Sequence, residues 1–89
     1  MRIDSLNVEF LDIIPERVNM QDGVLYVSVK YETANHLCAC GCRTETVTPL
    51  NPKQWVLNVS DLGVSLTPSI LNKGCGSHYF VSSNRIVWC

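Results

Sequence analysis

Val24-Leu25-Tyr26-Val27-Ser28-Val29-Lys30 is the stretch on which the fold turns. It is rich in β-branched and aromatic residues and is introduced by the turn pair Asp22-Gly23, a composition that suits a pleated, half-buried surface and predicts a strand. Working outward, Trp55-Val56-Leu57-Asn58-Val59 and Val64-Ser65-Leu66 flank Ser60-Asp61-Leu62-Gly63, and Tyr79-Phe80-Val81 and Ile86-Val87-Trp88 flank Ser82-Ser83-Asn84-Arg85. Each set predicts a hairpin, two apolar runs around a short polar turn. Val8-Glu9-Phe10-Leu11-Asp12-Ile13-Ile14 is too short for its period to decide, and it is read as a strand. Pro15, Pro49, Pro52 and Pro68 fall where a ladder donor would be missing and mark edges and loops. There is no sustained helical period and no internal repeat. The expectation is a mainly β single domain over residues 1–89, made of short antiparallel strands and hairpins with one zinc-stapled pair of loops.

A chain of 89 residues buries only about 60 to 65% of its unfolded surface, so an apolar core alone stabilises it marginally. The hydrophobic share of 46% and the charged share of 17% are those of a globular chain rather than a disordered one. No apolar run reaches membrane-spanning length, and the N-terminus carries no signal-peptide pattern, so a cytoplasmic protein with no membrane partner is expected. A net charge of -1 with scattered basic residues offers phosphate backbones no footprint, which argues against a nucleic-acid partner and against a zinc ribbon that binds one.

Five cysteines in a reducing compartment point to metal rather than disulfides. His36-Leu37-Cys38-Ala39-Cys40-Gly41-Cys42 gathers four possible ligands, and Cys75-Gly76-Ser77-His78 adds two more. Zinc takes thiolate and imidazole ligands in a tetrahedron, typically as two close pairs from separate loops. The candidate ligands are therefore Cys38, Cys40, Cys42, Cys75 and His78, read as two of the first three cysteines with Cys75 and His78. Gly41 and Gly76 allow the two turns to bend around the ion. His36 is the weaker candidate, and Cys89 is read as an unligated thiol.

Other chemistries fit less well. Cys75-Gly76-Ser77-His78 is like half of a Rieske pattern, but His36-Leu37-Cys38 reverses the order needed for the other half. A zinc deaminase lacks its His-x-Glu element. Trp55, Trp88, Tyr26, Tyr79 and Phe80 at strand spacing read as core, with Tyr79 placed to cover the metal. Pro68-Ser69-Ile70-Leu71-Asn72 reads as a loop that could present Ser69 as a nucleophile, although turn formation explains these residues without chemistry.

The cysteine cluster, Val47-Thr48-Pro49-Leu50, Trp55, Val64-Ser65-Leu66, Pro68-Ser69-Ile70 and Cys75-Gly76-Ser77-His78-Tyr79 together resemble a small bacterial and phage family, number 6527 among the domains of unknown function. The resemblance runs from about Val8 to Trp88, and differs at Arg43, where relatives carry Gly. It implies the fold, a metal site, and an accessory role beside bacterial ubiquitin-like conjugation proteins.

Two functions follow. The first is a non-enzymatic zinc module that binds another protein through a closed coordination sphere. The second is a hydrolase, a deconjugating peptidase, using either an open zinc with Glu32 or Glu45 as base or a cysteine activated by His36 or His78. Neither glutamate has metalloprotease spacing.

Overall fold

The computed structural model describes residues 2–89. They form two four-stranded sheets, each from one contiguous part of the chain. The first contains β1 (Asn7–Phe10), β2 (Val24–Ser28), β3 (Thr33–Leu37) and β4 (Glu45–Pro49) in sequence order. The second contains β5 (Val56–Ser60), β6 (Gly63–Asn72), β7 (Ser77–Ser82) and β8 (Arg85–Trp88), likewise in order. The mainly β architecture and both predicted hairpins are present, as β5–β6 and β7–β8.

The sheets share one core. Leu25, Val27, Ala34 and Cys38 from the first face Val64, Leu66, Ile70, Tyr79, Val81 and Ile86 from the second, and all are buried. β7 alternates cleanly, with Tyr79 and Val81 inward and His78, Phe80 and Ser82 outward, as expected of a strand with one solvated face. β2 is buried along its whole length. Its second face is covered by Met20 and Ile14, from the connection between β1 and β2, which pack with Val24, Tyr26 and Leu37.

Three features depart from the expectation. β1 and β2 pair parallel, which the long connection between them, carrying a 3-10 turn at Arg17–Asn19, makes possible. β3 and β4 carry polar residues that masked them as strands: Asn35, His36, Thr46 and Thr48 are all buried. Most of their polar atoms are matched, with Thr48 Oγ1 donating to the Ala34 carbonyl and Asn35 Nδ2 to Glu45 Oε2 at 3.2 Å, while His36 Nδ1 is buried without a partner.

Pro68 through Asn72 are strand, not loop, within the ten-residue β6. Because Pro68 has no N–H to donate, the ladder cannot run unbroken past it, and the β6–β7 register shifts between Leu66 and Ile70. Thr67, Pro68 and Ser69 consequently lie opposite Phe80. The Trp55 indole, itself only partly buried, donates to the Pro68 carbonyl at 3.1 Å.

Candidate functional site

Two groups of side chains meet at one end of the second sheet. The first is sulfur. Beyond β3 the Cys38 amide donates to the Thr44 carbonyl at 2.8 Å and the Gly41 amide to the Cys38 carbonyl at 3.1 Å, closing a tight turn. Gly41 sits at φ +93°, in the left-handed region that glycine tolerates, and so lets the turn fold back. In the β6–β7 connection the Cys75 and Gly76 amides both donate to the Asn72 carbonyl, at 3.3 and 2.7 Å. These turns bring the sulfurs of Cys38, Cys40, Cys42 and Cys75 within 4.8 Å of one another.

The group can hold a metal ion. Four sulfurs at about 2.3 Å from a tetrahedral zinc are separated by about 3.8 Å. Cys38 Sγ lies 3.5 Å from that of Cys40 and 3.6 Å from that of Cys75. The electrostatics are uneven. Burial pushes the Cys38 thiol up to about 11, whereas hydrogen bonding from the Ser77 hydroxyl, before other causes, lowers Cys40 to about 6 and also lowers Cys75. Cys89 is free and lies outside the group.

The sequence reading distributed the ligands as three cysteines and His78. The sulfur group contains all three clustered cysteines with Cys75, and His78 is engaged elsewhere. Its Nε2 lies 2.8 Å from Ser69 Oγ.

Strand geometry explains this second group. Alternation along β7 turns His78 away from buried Tyr79, and its register partner on β6 is Leu71. Ser69, two residues before Leu71 on the same outward face, is the diagonal neighbour of His78. Among the described residues no carboxylate is bonded to the His78 ring, so the arrangement is a Ser–His pair. It is open to solvent, and a cleft of about 310 Å³ runs from His78 past Cys40 and Cys75 to Trp88 and Arg2.

His36 is the opposite case. It is fully buried, its Nε2 is 2.7 Å from the Tyr79 hydroxyl, and burial lowers its pKa to about 4, so the ring is neutral. The same hydroxyl accepts from the Ala39 amide at 3.3 Å, and burial raises its own pKa. Tyr79 thus braces the cysteine turn from beneath. Glu45 is committed to Asn35, and Glu32 occupies a turn at φ +54°; neither approaches a cysteine or histidine in a catalytic arrangement.

A family model described as "Bacterial ubiquitination-like system serine protease (BubE)" matches residues 10–89. The chain belongs to that family. Membership carries the association with ubiquitin-like conjugation that the sequence resemblance implied, under a description that names a serine protease. No curated protein and no solved structure matches the chain. No helix among the described residues is long and apolar enough to cross a membrane.

The pairing of Ser69 with His78 was the feature that sequence reasoning missed. A usable signal was present. Tyr79 and Val81 read as inward residues, which places His78 outward, and treating Pro68-Ser69-Ile70-Leu71 as strand would have placed Ser69 on the same face.

Proposed function

We propose that this protein is a serine peptidase of a bacterial ubiquitination-like system, cutting a peptide or isopeptide bond in a protein substrate. Ser69 is the nucleophile and His78 the general base. The observation that carries this reading is the 2.8 Å contact between Ser69 Oγ and His78 Nε2 on an exposed sheet face. A serine hydroxyl is a weak nucleophile until a neighbouring base can take its proton, and this separation is within the reach required. The family description supports the same assignment.

In the reaction, Ser69 Oγ attacks the substrate carbonyl carbon as His78 Nε2 accepts the hydroxyl proton. The tetrahedral intermediate then collapses, the C–N bond breaks, and His78 returns the proton to the departing amine. Water attacks the resulting ester, with His78 again taking and returning a proton, to release the carboxyl product and restore Ser69.

The cysteine group completes the reading as a structural zinc site formed by Cys38, Cys40, Cys42 and Cys75. Four thiolates close the coordination sphere, so zinc held there would supply a cross-link between the β3–β4 and β6–β7 connections, with no position for substrate. The closed set favours the serine mechanism over a zinc hydrolase. It also leaves His78 free of the metal, the role that sequence reasoning had given it.

A fluorophosphonate reagent tests the assignment. Metal-replete wild-type protein should gain one adduct, mapped to Ser69 by mass spectrometry. Ser69→Ala should gain none, and His78→Ala should react at least a hundredfold more slowly. If wild-type protein forms no adduct at Ser69, the peptidase reading is overturned and a zinc module that only binds another protein takes its place.

A further inference from the structure

The outward face of a solvated sheet is expected to be polar. Around Ser69 and His78 it is not. Leu71, the cross-strand partner of His78, is 54% exposed, and the cross-strand pair Phe80 and Val87 are 42% and 49% exposed. Ile13, Val18 and Leu62 are exposed outside the strands, and Phe10, Val47, Val56 and Val59 are exposed on β1, β4 and β5. The three around the dyad share its face.

The surface also has relief there. A depression of about 240 Å³ lies across β6, β7 and β8, lined by Ser65, Thr67, Phe80, Ser82 and Val87 together with the backbone-flanking Leu66 and Val81. Thr67 is two residues from Ser69 and Phe80 two residues from His78, so the depression opens one strand repeat, roughly 7 Å, from the reacting pair. It is smaller than the roughly 300–1,000 Å³ of sites for drug-sized ligands. A single large side chain suits it better.

We infer that this depression is a specificity subsite of the peptidase, taking a bulky apolar side chain of an extended substrate segment within two residues of the scissile bond. The inference rests on the serine-peptidase reading above. An extended segment laid across the outer face presents side chains about 7 Å apart on one side, which matches the step from Ser69 to the depression. With its carbonyl at Ser69 Oγ, such a segment drops a neighbouring side chain into the depression beside Phe80 and Val87, against Thr67. Burial of that side chain holds the carbonyl in place for attack. The chemical class selected is thus a polypeptide stretch with leucine, methionine or phenylalanine beside the cut, rather than a small polar amide.

A mixed decapeptide library, with cleaved bonds read by mass spectrometry, tests this. Wild-type protein should enrich leucine, methionine or phenylalanine at one position within two residues of the cut at least tenfold over serine. Phe80→Ser and, separately, Val87→Ser should reduce that enrichment below threefold, whereas Val59→Ser, at the far end of β5, should keep it. Because Phe80 and Val87 are outward residues, circular dichroism should show all three variants folded. Enrichment that is absent in wild type, or that survives in both Phe80→Ser and Val87→Ser, overturns the subsite. A library left uncut by wild type overturns it too, since it denies that an extended segment is the substrate. Phosphonate labelling of Ser69 separates these results from failure of the peptidase reading: an adduct with no enrichment sinks the subsite alone, and absence of the adduct sinks both.

Discussion

The two sheets each carry one histidine and use it in opposite ways. His36, on β3, is wrapped on all sides, held neutral by burial, and fixed by the Tyr79 hydroxyl at 2.7 Å. His78, on β7, stands in solvent with Ser69 as its partner at 2.8 Å. The difference follows from the face each ring takes. His36 shares the inward phase of Ala34 on β3 and meets Tyr79 in the core between the sheets, whereas His78 follows the outward phase of β7, a face left open to solvent. A neutral imidazole enclosed by protein can only brace its neighbours. One on a wet face can exchange protons with a substrate.

The largest effect expected belongs to the element that joins the two sheets. Structural zinc sites contribute roughly 10–16 kcal/mol of apparent binding energy that doubles as folding energy. Purified protein should contain one zinc per chain, and chelation or Cys75→Ser should remove it and abolish cooperative unfolding, as followed by elemental analysis and circular dichroism. Peptidase activity should fall with it, because Cys75 and His78 share one short segment. Chelator sensitivity would here report a scaffold, not a metalloprotease. Metal-free protein that stays folded and active would refute the cross-link.

The two histidines should then separate cleanly. His78→Ala should lower peptidase kcat by about 10³-fold or more while the melting temperature scarcely moves. His36→Ala should do the reverse, costing about 2–4 kcal/mol of stability through the lost packing and the lost hydrogen bond to the Tyr79 hydroxyl, with kcat of the folded protein nearly unchanged. Equal effects of the two substitutions on kcat would erase the contrast. A smaller change sharpens it: Tyr79→Phe removes the hydroxyl but keeps the ring, and should cost about 1–3 kcal/mol in urea unfolding. At the low end, Cys89→Ser should shift stability by less than about 0.5 kcal/mol and leave the zinc content at one, because Cys89 lies outside the sulfur group.

Much of this was legible in the residues. The strand at Val24 and both hairpins follow from composition and turn chemistry, which act locally. The cysteine turns announce themselves because few other demands place soft ligands so densely. What local reading could not supply was long-range compensation. Asn35, His36, Thr46 and Thr48 look like loop residues until the partners that satisfy them in the fold are known. Pro68 carried a strong loop signal that a shift in register absorbed, and with it Ser69 moved from a turn to a strand face. His78 fitted the usual ligand spacing to Cys75, so a nearby explanation hid the partner across the strand.

Each sheet is encoded by one uninterrupted stretch, with the break falling in the exposed turn at Pro52–Gln54 between β4 and β5. The three clustered cysteines lie before that break, and Cys75, Ser69 and His78 after it. A nick there would yield two fragments, one holding most of the sulfur and the other the whole reacting pair. With the proposed zinc site in place, their reassembly would depend on ion availability as well as on the shared core, which makes the domain a candidate for a split reporter.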